Sequence, residues 1–389
     1  MNLWQRLTLI ICLLSLSAFA LPGKAQATTV AAEQASEYLP SLRGQRVALV
    51  VNQTSRVGEQ HLVDYLLAEG IEVVKVLAPE HGFRGDAGAG ETITDAIDPR
   101  TGLPILSIYG KTKKPSPAML ADVDTIVFDI QDVGARFYTY ISTMHYVMEA
   151  AAEQGIAMMV LDRPNPNGAF VDGPVLDSAF QSFVGMHEIP LLHGMTVGEL
   201  ALMIKGEGWI QQAQDLSLTV IPVADYARTE AYSLPVAPSP NLPDDQAIQL
   251  YPSLCLFEAT AVSIGRGTDF PFQVMGHDEV HLGDFKFSPR SMPKSAPSPK
   301  LEGQIVYGKD LRDSDLQGLD LSLLISAHQA FTKAGVTFFT APDFMDKLSG
   351  TDALRKAIEA GQSEAEIRAS WQADLARFKA RRQPYLLYP

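Results

Sequence analysis

Five short apolar runs, at 46–51, 72–78, 105–108, 125–130 and 157–161, alternate with amphipathic stretches, and this alternation constrains the fold more than any other feature of the chain. Runs that lack a polar residue at every second position predict strands buried on both faces, as in a parallel sheet with helices on each side. Between the last two runs, Ile141, Met144, Met148, Ala151 and Ala152 fall at helical spacing and Gly155 follows them. That pattern predicts an amphipathic helix closed by a left-handed glycine cap. The first half is therefore expected to be a three-layer α/β domain.

Each run ends in polar, chemically able residues: Asn52 after the first, Glu80 and His81 after the second, Tyr109 after the third, Asp129, Gln131 and Asp132 after the fourth, Arg163 and Asn165 after the fifth. Loops at the carboxyl ends of parallel strands are where α/β proteins build their pockets, so these side chains are expected to converge above one sheet edge. Further on, His193 opens a loop into a helix, with Thr196 and Glu199 spaced as a capping box. Glu199 thus has a structural use.

A Pro- and Asn-rich stretch, 238–243, marks an expected crossing into a second domain, giving 28–235 as the α/β part and 236–389 as a smaller α+β part. There the pattern predicts strand-like pieces at 261–264 and 336–339, a helix over about 319–333, and a last helix capped by Ser363 and Glu366 that buries Ile367, Trp371, Leu375 and Phe378. Residues 286–300, rich in Ser, Pro and Lys, predict a surface loop.

The first 27 residues show a basic start, a short apolar stretch and two small-x-small sites, Ala18-Phe19-Ala20 and Ala25-Gln26-Ala27. They predict a cleavable secretory signal cut after Ala27, and hence a periplasmic or secreted protein; an uncut anchor is the alternative. Cys12 falls inside that signal, which leaves Cys255 and no disulfide framework. Removing Arg6 and Lys24 with the signal takes the formal charge from −14 to −16. Nucleic acid and anionic membrane surfaces are poor partners for such a chain.

Several familiar signatures fail on spacing. The histidines of His187-Glu188-Ile189-Pro190-Leu191-Leu192-His193 are six apart and interrupted by proline, so they cannot share a helix face as zinc ligands do. His277 and His281 are four apart but have no third ligand nearby. The glycines at 85–90 lack dinucleotide-binding spacing, and no G-x-S-x-G elbow occurs.

What remains is a set of carboxylates, tyrosines and arginines. Glu80, placed after a proline and before a His81-Gly82 turn, is expected to project into a partly dry place where a carboxyl group can donate a proton, or else to pair with Arg84. Asp129 and Asp132 are further candidates, and one of them has the alternative task of holding Arg136. Arg84, Arg136, Arg163 and Arg266 imply an anionic substrate group or internal ion pairs, because a guanidinium fork matches a carboxylate at two points. Tyr109, Phe137, Tyr138 and Tyr140 suit a sugar ring.

The blocks PEHGFRG, FDIQDVGARFYTYIS, LDRPNPNG, HGMTVGELA, PSPN, YPSLCLFEAT and GRGTDFPF occur in that order between Pro79 and Phe272. In these blocks the chain resembles a bacterial family once known only as a domain of unknown function and now associated with exo-acting β-N-acetylmuramidases of the NamZ type. The resemblance implies a Rossmann-like parallel sheet with helices on both faces, an auxiliary C-terminal domain, a cleft between them, and no metal or cofactor. It implies cleavage of peptidoglycan fragments that carry a terminal N-acetylmuramic acid. By similarity Glu80 is the expected general acid, with Tyr109 or a second acid, Asp129, Asp132 or Glu258, as its partner. Asn52, His81, Arg84, Gln131, Arg136, Tyr138, Arg163, Asn165, His193, Asn241, Arg266 and Thr268 are the expected substrate contacts. A tyrosine nucleophile or the substrate's own acetamido group stays open in place of the second acid. A non-catalytic muropeptide receptor and an esterase or amidase are the rival readings.

Overall fold

The computed structural model describes residues 28–84 and 95–389. The expected signal with Cys12, and the glycine-rich segment at 85–90, lie outside the described residues. The main sheet has seven strands: β1 (Val47–Val51), β2 (Val73–Ala78), β3 (Ala96–Ile97), β4 (Pro104–Ser107), β5 (Thr125–Asp129), β6 (Ala157–Leu161) and β7 (Leu218–Ile221), in the order β7-β6-β5-β1-β2-β4-β3. Every neighbouring pair is parallel except β3 with β4. The five apolar runs became β1, β2, β4, β5 and β6. Strands β3 and β7 carry exposed positions and lack the continuous apolar run that reveals the others.

Alternation along β1 shows why its whole run had to be apolar. Ala48 and Val50 enter the core that holds helix Tyr140–Gln154, whereas Val47, Leu49 and Val51 enter the core on the other face with Tyr38, Leu62 and Leu66. Helix Tyr140–Gln154 ends as expected, with Gly155 in the left-handed region at φ 66°. From β1 the chain first moves outward to β2 and β4, then returns to the other side of β1 as β5. A sheet that reverses its strand order opens a crevice beyond the carboxyl ends of the strands at the reversal. Asn52, Glu80 and Ile130 all follow strands at that point.

The second half contributes a three-stranded antiparallel sheet, with Val306–Asp310 between Val274–His277 and Phe285–Phe287, and a group of helices from Ser322 to Arg382. Three expectations change here. Segments 261–264 and 336–339 form only isolated bridges, Ser263 with Gly276 and Thr260 with Phe339. The Ser363 and Glu366 capping box forms, but the helix breaks at Trp371 into Glu364–Ser370 and Gln372–Arg382. His277 lies on a strand, which rules out the helical pairing with His281. The core around helix Tyr140–Gln154 continues through Leu250, Phe257, Phe331, Trp371 and Phe378, so one buried cluster joins the halves and fixes the walls between them.

Candidate active site

Strand β2 delivers the chain to Pro79, and the turn that follows puts His81 and Gly82 in the left-handed region at φ 67° and 78°. Positive φ at a non-glycine residue is strained, and such strain is held in place only where the surroundings over-determine it. The turn leaves the Glu80 carboxyl over the sheet edge, where the Tyr109 hydroxyl donates to Oε1 at 2.8 Å and the Thr139 hydroxyl donates to Oε2 at 2.6 Å. Both donors are rotatable hydroxyls that also accept, so the carboxyl group can be held in place ionised or protonated. Burial, with the Glu80 carboxylate beside it, raises the Tyr109 phenol well above its ordinary value. In the resting site Tyr109 is therefore a protonated donor to Glu80. Arg84 pairs instead with Asp98, at 2.9 Å.

Glu80 and His81 line a cavity of about 540 Å³ together with Tyr138, Thr139 and Tyr140 from the first half, Asn241 from the crossing, and Tyr251, Glu258 and Arg266 from beyond it. Its aromatic wall is a chain of edge-to-face contacts, with Tyr138 5.1 Å from Tyr140 and 5.8 Å from Tyr251, and Tyr251 5.1 Å from Phe272. Tyr140 and Phe272 are almost wholly buried and brace Tyr138 and Tyr251, and rings locked this way make a rigid wall at little entropic cost on binding. The same cavity holds Glu258, whose Oε1 accepts from Arg266 Nε at 2.5 Å. Residues 295–300 complete the wall. This segment is the loop expected at the surface. Asn241 Nδ2 donates to the Ser295 carbonyl at 2.7 Å, and Lys300 Nζ donates to the carbonyls of Phe257, Glu258 and Thr260 at 3.0, 2.8 and 2.7 Å.

Many of the other expected site residues form the frame beneath the cavity. Asp129 is fully buried and paired at two points with Arg163, at 2.5 and 2.9 Å, and neither lines the cavity that holds Glu80. Arg136 is corrected in the same way. Its fully buried guanidinium donates to the carbonyls of Pro174, Ile189 and Leu348, and burial, with no carboxylate partner among the described residues, lowers its pKa to about 9. Asp132 accepts from the Gly134 amide at 2.7 Å, and burial raises its pKa to about 7. Gln131 donates to the Asp132 and Pro164 carbonyls, Asn165 to the Met195 carbonyl, and Thr268 to the Gly265 carbonyl. Asn52 accepts from Thr54 within the loop after β1. His193 is buried, and burial lowers its pKa to about 3, which keeps it neutral.

Of the expected residues, the structure gathers Glu80, His81, Tyr138, Asn241, Glu258 and Arg266 around one cavity, and Tyr109 reaches it through Glu80. Thr139 and the loop at 295–300 were missed. Thr139 lies in the Phe137-Tyr138-Thr139-Tyr140 run, where the aromatic residues carried the signal and nothing local marked the hydroxyl.

Two adjoining family descriptions match this chain: "Exo-beta-N-acetylmuramidase NamZ, N-terminal" over residues 47–246 and "Exo-beta-N-acetylmuramidase NamZ, C-terminal" over 249–388. The Bacillus subtilis (strain 168) protein named peptidoglycan beta-N-acetylmuramidase NamZ is 39% identical over 376 residues, which covers 90% of this chain and 89% of that one. Crystal structures of two DUF1343 family proteins from Bacteroides fragilis NCTC 9343 superpose with TM-scores of 0.85 and 0.81, at 45% and 29% identity, each covering 93% of this chain and 99% of theirs. Matched over residues 47–246 and 249–388 by the two domain descriptions, and over 90% of its length by a relative of this identity, the chain belongs to the NamZ exo-β-N-acetylmuramidase family.

Proposed function

We infer that this protein is a glycoside hydrolase, an exo-β-N-acetylmuramidase acting on peptidoglycan. Within that activity, our reading is that it releases N-acetylmuramic acid from the non-reducing ends of fragments. We further propose that it does so outside the cytoplasm, after removal of residues 1–27, as part of wall turnover. The observation that carries the residue assignment is the Glu80 carboxyl, held between the hydroxyls of Tyr109 and Thr139 at the wall of an aromatic-lined cavity.

In this reading the sugar ring lies against Tyr138, Tyr140 and Tyr251, and protonated Glu80 faces the glycosidic oxygen. As the bond from the anomeric carbon to that oxygen breaks, the Glu80 proton passes to the departing oxygen and positive charge grows on the ring. Water, entering directly or after an intermediate formed with the sugar's acetamido oxygen, supplies the new hydroxyl, and its released proton restores Glu80. Tyr109 and Thr139 hold the carboxyl in line through both states by rotating their hydroxyls.

The test uses a chromogenic β-N-acetylmuramide and the matching β-N-acetylglucosaminide. Turnover of the first and not the second is expected; equal turnover, or none, defeats the assignment. Glu80→Gln keeps the shape of the side chain and removes its acidity, and kcat is expected to fall by about 10²- to 10⁴-fold. Near-normal activity removes Glu80 from the acid role.

A further inference from the structure

N-Acetylmuramic acid differs from N-acetylglucosamine by a lactyl ether that ends in a carboxylate, and a cation placed to receive that group would tell the two sugars apart. Of the four arginines that sequence brought to the site, three have other engagements: Arg84 with Asp98, Arg163 with Asp129, and Arg136 with three backbone carbonyls. Among the described residues the cavity itself is lined by one arginine and one lysine, Arg266 and Lys300. An ammonium has three N–H donors. Those of Lys300 go to the carbonyls of Phe257, Glu258 and Thr260.

Arg266 is different. It commits Nε to Glu258, its guanidinium lies 5.1 Å from the Phe272 ring centre, and its terminal nitrogens make no hydrogen bond among the described residues. Its side chain is 28% exposed, and that of Glu258 is 21% exposed. A guanidinium fixed through Nε has its terminal nitrogens left for a ligand and loses little freedom when they bind. Glu258 sits on the turn Cys255–Ala259, whose carbonyls Lys300 gathers from the loop at 295–300. Turn, loop and ion pair therefore hold one donor group against the cavity.

Building on the muramidase reading, we propose that the terminal nitrogens of Arg266 bind the lactyl carboxylate of the substrate, and that Glu258 is a positioning residue for Arg266 and not the second catalytic carboxylate. The pair makes the pocket selective for the acidic sugar and leaves Glu80 as the carboxyl group that acts on the glycosidic bond.

The experiment compares the chromogenic β-N-acetylmuramide with the same compound carrying its lactyl group as the neutral methyl ester. Wild-type protein is expected to prefer the acid by about 10- to 100-fold in kcat/KM, the range of a charge-assisted contact. Arg266→Met should bring that ratio to within about threefold of unity, chiefly by raising KM for the acid. Glu258→Gln should raise KM for the acid while kcat stays within a few-fold. Wild-type turnover of ester and acid alike, an unchanged ratio in Arg266→Met, or a fall in kcat for Glu258→Gln as deep as that for Glu80→Gln overturns the proposal. If the methionine variant does not fold, Arg266→Lys takes its place. It keeps the charge without the fork and should lose at least about tenfold on the acid, and full retention overturns the proposal. If wild-type protein cleaves neither compound, the muramidase reading fails by itself. Calorimetric binding of free N-acetylmuramic acid then decides the Arg266 contact, with loss in the variant supporting it and unchanged affinity overturning it.

Discussion

Asp132 offers a test of the site's frame that needs no substrate. It stands in the turn after β5, 5% exposed, with Oδ1 accepting from the Gly134 amide and Oδ2 buried without a hydrogen-bond partner among the described residues. Burial raises its pKa from 3.8 to about 7. An acid whose pKa is higher in the folded state binds its proton more tightly there, so its contribution to stability is fully present below about pH 3.8. It is lost progressively as pH rises to about 7 and is level above that. At 1.36 kcal/mol per pH unit the whole change is about 4 kcal/mol, and the part between pH 5 and pH 8 is about 2–3 kcal/mol. Asp132→Asn keeps the acceptor for Gly134 and cannot ionise. At pH 5 both proteins bury a donor without an acceptor, the protonated carboxyl of Asp132 and the amide of the variant, so the two should lie within about 1–3 kcal/mol of each other. By pH 8 the difference should have moved about 2–3 kcal/mol in the variant's favour. Urea unfolding of both proteins at half-unit pH steps measures this directly. A difference between them that does not change from pH 5 to pH 8 would show that Asp132 ionises in the folded protein as readily as in the unfolded chain, and the reasoning from burial would be wrong.

Tyr109→Phe removes the 2.8 Å bond to Glu80 and leaves the ring, so kcat on the muramide should drop about tenfold with KM little changed; a wild-type kcat would mean that Thr139 alone orients the acid. Arg163→Met strands the fully buried Asp129 carboxylate and should destabilise the fold by about 3–5 kcal/mol in urea, and adding Asp129→Asn should recover a large part of that loss. No recovery in the double variant would show that Asp129 holds its place without the ion pair.

The glutamates illustrate how catalytic and supporting carboxyl groups are told apart by their partners. Glu80 accepts from the neutral hydroxyls of Tyr109 and Thr139, whereas Glu258 accepts from a guanidinium that is always charged. A proton donor needs the first kind of setting, and an anchor for a cation needs the second.

Local pattern was enough for the layered sheet, the position of helix Tyr140–Gln154, the capping boxes at Thr196 and Ser363, and the placing of Glu80, Tyr109 and Asp129 at strand ends. These follow from apolar period, cap chemistry and strand direction, all of which act over a few residues. Which arginine faces the cavity was decided by tertiary structure alone. Arg136 is occupied by Leu348, 212 residues away, and Arg163 by Asp129, 34 residues away, while Arg266 keeps its terminal nitrogens for the cavity. The Ser- and Pro-rich loop at 295–300 gave no local sign of becoming a wall, because Lys300 finds its carbonyls on a turn some 40 residues earlier in the chain. A guanidinium or an ammonium has the same chemistry wherever it sits in a sequence, and only the acceptors that folding brings within about 3 Å of it decide whether it braces the frame or waits for a ligand.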